Sequence, residues 1–204
     1  MALRAVLPAL AAALPFGAST PLAKLLVGSV PALLLAGLLY LGSGLGLGAL
    51  LALRWARDRA SGRVATHPAI PRKEVPWLLG AIVSGGILGP ALLMLGLTQT
   101  SGVAASLLLN VEGILTAVIA WLVFKENADR QIVFGMGAIV AGGVLLSWEP
   151  GGAAFSTGAL LILGACLCWA IDNNLTRKVS TNDAMLVACL KGLVAAPATR
   201  PWRS

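Results

Sequence analysis

One acidic residue, Glu112, stands in the middle of an apolar run, Gly102–Phe124, that is long enough to cross a membrane. A spanning helix needs about 20 apolar residues, and a carboxylate near the bilayer centre costs about 2.5–3.5 kcal/mol on insertion scales. Such a group is therefore typical of a site that binds a substrate or a proton. The alternative interpretation is that Glu112 hydrogen-bonds a neighbouring helix and fixes its packing.

Helix geometry separates the polar residues that lie near Glu112 in sequence. Thr116 is four residues away and shares the face of Glu112, whereas Asn110 is two residues away and points about 200° from it. We therefore predict that Glu112 and Thr116 face one cavity, with a break in the helix at Gly113, and that Asn110 does not face the same cavity.

A second polar group, Asp172, Asn173 and Asn174, ends another apolar run. These residues either cap that helix or line the inner mouth of a cavity. Lys191 is a further charge within an apolar run; it either meets an anionic substrate or extends to the membrane interface. Asp172, Asn173 and Lys191 join Glu112 and Thr116 as candidate substrate-binding residues.

The composition predicts an integral membrane protein. The 204 residues are 58% hydrophobic and 11% charged, whereas a soluble domain averages about 25% charged residues. The net charge of +7 is dispersed among the links between apolar runs, so no nucleic acid is expected as a partner. No catalytic, nucleotide-binding or zinc motif is present, which favours a protein without catalytic residue, cofactor or metal over a membrane-embedded enzyme.

The apolar runs predict an all-α, polytopic bundle with six full spans and part of a seventh. The predicted spans are Ala5–Ala23, Leu25–Leu53, Trp77–Leu97, Gly102–Phe124, Gln131–Trp148, Gly158–Leu175 and Met185–Ala196. Three G-x-x-x-G pairs, beginning at Gly42, Gly44 and Gly85, predict close packing of helices. Pro90 predicts a disturbed helix within the third span.

The basic residues predict the orientation of the spans. The link between the second and third spans carries six Lys and Arg residues, and the other basic links fall on the same side of the membrane. The positive-inside rule then places the N-terminus in the cytoplasm, in a multi-pass protein of the cytoplasmic membrane. A cleaved secretory signal at the N-terminus is the weaker alternative.

A thin internal repeat appears at an offset of 153 residues. Leu14 then falls on Leu167, and Lys24 falls on Arg177. Five predicted spans separate the two copies, so the second copy is inverted in the membrane. Inverted repeats are typical of secondary transporters, which bind their substrates near the midplane between the two repeats.

The segment Ser106–Ser147 resembles the fourth and fifth helices of an EamA domain, of the drug/metabolite transporter superfamily. The resemblance rests on N-x-E at Asn110–Glu112, on Lys125-Glu126 after the apolar stretch, and on Gln131 with the glycines after it. It implies two inverted repeats of five helices that move metabolites or drugs across the cytoplasmic membrane. It adds Asn110 to Glu112 as a cavity candidate and implies a structural role for Glu126.

The resemblance divides the chain into three parts: residues 5–148 as the first repeat, 158–196 as the start of the second, and 197–204 as an atypical basic tail. We therefore expect a truncated member of the family. The predicted function is transport of a small molecule by alternating access, with proton coupling at Glu112. The alternative is a truncated membrane protein or subunit that does not transport, and a homodimer is one way to complete the pathway.

Overall fold

The computed structural model describes residues 17–62, 70–127, 129–146, 156–179 and 183–198, together with Ala11 and Leu14. Within these ranges the chain forms helices and no strand, so the predicted all-α fold is confirmed. We number them α1 (residues 17–26), α2 (Ala32–Ala60), α3 (Arg72–Gln99), α4 (Gly102–Leu122), α5 (Arg130–Leu146), α6 (Thr157–Arg177) and α7 (Ala184–Ala198).

Four of the described helices, α2, α3, α4 and α6, are long and apolar enough to cross a membrane. Helix α7 is apolar but shorter. Each of the seven predicted runs corresponds to a helix in the described part of the chain, which confirms the polytopic bundle. The start of the first predicted span, the end of the fifth and most of the basic tail lie outside the described residues.

The predicted bounds of the second span, Leu25–Leu53, are wrong by seven residues at each end. Residues 27–31 leave the helix, because Gly28 has a φ of +111° and Pro31 precedes the first turn of α2. At its other end α2 continues past the apolar run to Ala60, since Arg is a good helix former and a cation is favoured in a last turn.

Helix α6 is the centre of the bundle and packs against both α3 and α4. Its residues Ile162, Ala165 and Cys166 are fully buried, together with Leu97 of α3. On another side of the bundle α2 packs against α7. A Cβ atom at Gly192 of α7 would lie 2.7 Å from the Cα atom of Gly44, so the two backbones are in direct contact.

The close packing predicted from the glycine pairs is confirmed for two of the three. Gly44 packs on α7, and Gly89 lies where a Cβ atom would meet the Trp169 ring of α6. The pair of Gly42 and Gly46 faces open space, so the prediction is wrong there. The reason is rotational: these residues lie two positions from Gly44 and therefore on another side of α2.

Helix α3 contains a π-helical segment, Ile82–Leu88, directly before the predicted disturbance at Pro90. The backbone N–H of Gly89 bonds to the carbonyl of Ser84, five residues earlier. The same register would direct the N–H of residue 90 to the carbonyl of Gly85, but proline has no N–H. The Gly85 carbonyl is therefore left to accept hydrogen bonds from side chains.

The interruption of α4 lies at Leu109–Asn110, so the predicted break at Gly113 is wrong. The Asn110 side chain donates to the carbonyls of Ser106 and Leu107, at 3.2 and 3.1 Å. The Leu107 carbonyl also accepts the backbone N–H of Asn110 at 3.2 Å, three residues on instead of four. A side-chain amide that competes for the carbonyls of this turn disturbs the helix. The second segment of α4, Val111–Leu122, therefore begins just before Glu112.

Candidate functional site

A cavity of about 280 Å³ lies between α1, α2, α3, α4 and α6. Its walls are mostly apolar, and Glu112 is the one acid among the described residues that line it. The lining comprises Ser19, Thr20, Ala23, Ala36, Leu39, Tyr40, Pro90, Leu93, Met94, Leu109, Glu112 and Trp169. An apolar cavity with a few convergent polar groups is the usual form of a small-molecule site.

The cavity carboxylate is held by an amide from α6. Oε1 of Glu112 accepts a hydrogen bond of 2.9 Å from Nδ2 of Asn173, and Oγ1 of Thr116 lies 3.4 Å from the same nitrogen. Glu112 and Thr116 are one turn apart, so both reach one side chain of the facing helix, as their shared face predicts. Glu112 is partly buried and lies in the first turn of its helical segment, where the helix dipole favours a negative charge.

Asn110 lies apart from this group. Its side chain is exposed, bonds to the preceding turn of α4, and does not line the cavity. The structure therefore separates Asn110 from Glu112, in agreement with their spacing along the helix.

Asp172 and Lys191 form an ion pair between α6 and α7. Nζ of Lys191 lies 2.6 Å from both carboxylate oxygens of Asp172, and Thr176 donates a hydrogen bond of 2.9 Å to Oδ1. The two charged side chains are only 8% and 17% exposed. Neither residue lines the cavity. Lys191 pairs with a carboxylate of its own chain, whereas the sequence alone left an anionic substrate or the membrane interface as the alternatives for its partner.

Asn174 completes the run of polar residues on α6. Its Nδ2 donates to the carbonyl of Thr116 at 3.1 Å and to that of Ala170 at 2.9 Å. The side chain is buried and connects α6 to α4. The three consecutive residues 172–174 therefore have three different environments, and none of them caps the helix, which ends at Arg177 with Lys178 as its C-cap.

Two aromatic residues that sequence reasoning did not select, Tyr40 and Trp169, line the cavity. The Tyr40 hydroxyl donates to the Gly85 carbonyl at 2.7 Å, and Nε1 of Trp169 donates to the same oxygen at 3.0 Å. This is the carbonyl that Pro90 leaves without a backbone partner. Two features of the sequence could have pointed to these residues: Tyr40 is the only tyrosine of the chain, and Trp169 lies in the interior of an apolar run.

Further charged contacts lie between the helix ends that face away from the cavity. Arg54, in the last two turns of α2, lies 3.0 Å from Asp183, just before α7, and Arg177 at the end of α6 pairs with Glu126 after α4. Nζ of Lys178 lies 5.0 Å from the centre of the Phe124 ring. The hydrogen bond from Arg177 holds the pKa of Glu126 below its usual value.

The chain is similar to a transporter family over about its first three quarters. The model of the EamA-like transporter family matches residues 3–148. An uncharacterized transporter of Methanothermobacter thermautotrophicus is 28% identical over 131 residues, which are 61% of this chain and 38% of that protein. The uncharacterized transporter YyaM of Bacillus subtilis is 33% identical over 100 residues, 46% of this chain and 32% of that protein.

The aligned part of the chain thus spans about a third of the length of these relatives. No solved structure gives a significant match. The family match covers well over half of the chain, and the apolar helices are those of a multi-pass membrane protein. The chain belongs to the EamA-like transporter family.

Proposed function

We propose that the chain forms the substrate site of a transporter for small metabolites or drugs, with Glu112 as its central charged group. The observation that carries this proposal is the cavity itself. Its walls come from α1–α4 and from α6, so helices of both predicted repeats contribute to it. A site between two repeats is where a secondary transporter binds its substrate.

The predicted repeats also supply a way for the cavity to open. Helix α2 begins at Ala32 and α7 at Ala184, which is 152 residues later (184 − 32) and close to the repeat offset. Alternating access then consists of rocking α6 and α7 against α1–α4. Such a motion changes the contact between Asn173 and Glu112, because these residues lie on opposite sides of the moving boundary.

The positive charges support an orientation for this proposal. With the N-terminus in the cytoplasm, the ends of α2 and α6, which carry Arg57, Arg59 and Arg177, face the cytoplasm. The cavity then lies toward the outer half of the membrane, since Ala36 and Met94 are within two turns of the outer ends of α2 and α3. The pairs Arg54–Asp183 and Arg177–Glu126 lie at the cytoplasmic end.

The carboxylate of the described cavity lining supports proton coupling as part of this proposal. A carboxylate that is deprotonated when the substrate is bound and protonated when the site is empty exchanges protons for substrate across the membrane. Glu112 is suited to this exchange because Asn173, a neutral donor, is its hydrogen-bond partner. An uncharged partner leaves the carboxylate able to change its protonation state without leaving a cation unpaired.

Uptake into proteoliposomes tests the proposal. The purified chain is reconstituted with a pH-sensitive dye inside, and a panel of labelled amines, amino acids and neutral metabolites is offered with and without a pH gradient. We expect at least one compound to accumulate and to move protons. Glu112→Gln abolishes this flux, whereas the matched control Glu126→Gln, which lies after α4 and outside the cavity, does not. Flux that survives Glu112→Gln removes Glu112 from the mechanism, and no flux for any compound rejects transport by this chain.

A further inference from the structure

We infer that the cavity selects small amphipathic monocations, meaning amines with an apolar or aromatic body, and rejects zwitterions and anions, free amino acids included. The inference takes from the proposed function only that the cavity receives a ligand. It concerns the chemical class of that ligand, for which charge, wall chemistry and volume give three separate arguments.

The first argument is the charge balance of the cavity. Its described lining contains the carboxylate of Glu112 and no Lys, Arg or His. The nearest partner of the carboxylate is the neutral amide of Asn173. Lys191 pairs with Asp172 and Lys24 donates to the Leu97 carbonyl, and neither lysine belongs to the described cavity lining. A ligand ammonium therefore supplies the missing positive charge, whereas a ligand carboxylate meets only a like charge.

The helix segment that carries Glu112 strengthens this preference. Val111–Leu122 begins one residue before the carboxylate, so the positive end of its dipole offsets part of the cost of a negative charge there. An ionised carboxylate in an apolar cavity is unfavourable without a counter-charge. A cationic ligand relieves this cost on binding, and a zwitterion relieves it only by burying a second carboxylate.

The second argument is that the strongest neutral donors of the wall are already used. The Tyr40 hydroxyl and the Trp169 N–H both donate to the Gly85 carbonyl. Neither is therefore available to bind a ligand carboxylate, and their rings remain as the surfaces that a ligand contacts. Aromatic faces attract cations and pack on apolar rings. The other polar side chains of the described lining are the uncharged hydroxyls of Ser19 and Thr20.

The third argument is size. The cavity volume of about 280 Å³ is just below the range of about 300–1,000 Å³ for drug-sized ligands. One aromatic ring with a short amine fits this volume. Phenethylamine, phenylalanine and 3-phenylpropionate have nearly the same body and differ in charge, so they separate the charge preference from the size preference.

Calorimetric titration of the full chain in lipid nanodiscs with these three compounds at pH 7 tests the inference, with empty nanodiscs as the blank. We expect phenethylamine to bind with a Kd at least tenfold lower than that of phenylalanine, and 3-phenylpropionate to bind least. Glu112→Gln raises the Kd of phenethylamine at least tenfold, and the control Glu126→Gln, the same substitution outside the cavity, leaves it unchanged. The comparison of three ligands on the unchanged chain stands even if a variant fails to fold.

Three outcomes overturn the inference: phenylalanine binds as tightly as phenethylamine, Glu112→Gln leaves the Kd of phenethylamine unchanged, or none of the compounds binds. These outcomes are distinct from failure of the proposed function. Glu112-dependent flux of an amino acid in proteoliposomes would reject the cation preference and keep the transporter. Binding of phenethylamine without flux of any compound would keep the cation site and reject transport.

Discussion

Two carboxylates lie near each other in the middle of the bundle and have opposite environments. Asp172 is buried and neutralised by Lys191, whereas Glu112 lies at the cavity and is held by the neutral amide of Asn173. Asp172 and Asn173 are consecutive residues of α6, so one turn of helix connects an ion pair on one side to the cavity site on the other. In an apolar bundle, the charge that is already paired is structural, and the charge without a counter-ion is available to a ligand.

The first and largest effect concerns the paired carboxylate. Removing one member of a buried pair leaves the other charge unpaired, at a cost of about 3–5 kcal/mol. We expect Lys191→Met to lower the free energy of unfolding by about this amount, measured by circular dichroism during denaturation with sodium dodecyl sulfate. The double variant Asp172→Leu/Lys191→Met is expected to recover most of the loss. Equal stability of Lys191→Met and the unchanged chain would show that the pair is not structural.

A smaller loss is expected where α3 contacts the same pair. A Cβ atom at Gly85 would overlap the Asp172 carboxyl group, whereas a Cβ atom at Gly46 would face open space. Gly85→Ala is therefore expected to destabilise the chain by about 1–3 kcal/mol. Gly46→Ala is the matched control, and it is expected to be neutral or slightly stabilising because alanine favours a helix. If both variants have the same free energy of unfolding, Gly85 does not approach Asp172 as closely as the structure shows.

The cavity carboxylate is expected to behave in the opposite way to its paired neighbour. Glu112→Gln keeps an oxygen that accepts from Asn173 and leaves no cation unpaired. The free energy of unfolding should therefore change by less than about 1 kcal/mol, while the Kd of phenethylamine rises at least tenfold. Both quantities are measured on the same preparation. A stability loss as large as that of Lys191→Met would instead assign Glu112 to packing and would erase the contrast between the two sites.

The smallest effect concerns the exposed pair at the helix ends. Because Arg177 lowers the pKa of Glu126 in the folded chain, this contact contributes stability above the usual pKa of a glutamate. That contribution is lost as the pH falls through the lowered folded-state value, where the carboxylate is protonated. We expect thermal unfolding of Glu126→Gln to show a slightly weaker dependence on pH below about 4.5 than the unchanged chain. Identical pH profiles would show that the contact does not persist in solution.

Local patterns predicted much of this architecture. The bounds of α4, α6 and α7 are within two residues of the apolar runs, because apolar length fixes a span directly. The shared face of Glu112 and Thr116 follows from one turn of helix. The interruption of α4 was placed wrongly because it depends on the hydrogen bonds of the Asn110 side chain, which composition does not reveal.

Contacts between distant helices were beyond the sequence. The pairing of Lys191 with Asp172 requires α7 to approach α6, and the position of α7 depends on its backbone contact with α2 at Gly44 and Gly192. The roles of Tyr40 and Trp169 depend on the π-helical segment that frees the Gly85 carbonyl. The sequence shows that residue 90 is a proline and has no backbone N–H. The side chains that donate to the Gly85 carbonyl in its place come from other helices, and the sequence does not show them.

Carbodiimide labelling tests the contrast between the two carboxylates most directly. An apolar carbodiimide enters the membrane and modifies carboxyl groups that accept a proton, and peptide mass spectrometry identifies the modified residue. We predict modification of Glu112, protection of Glu112 by phenethylamine, and little modification of Asp172, which is buried and paired with Lys191. Modification of Asp172 in preference to Glu112, or labelling of Glu112 that the amine does not reduce, would contradict the account.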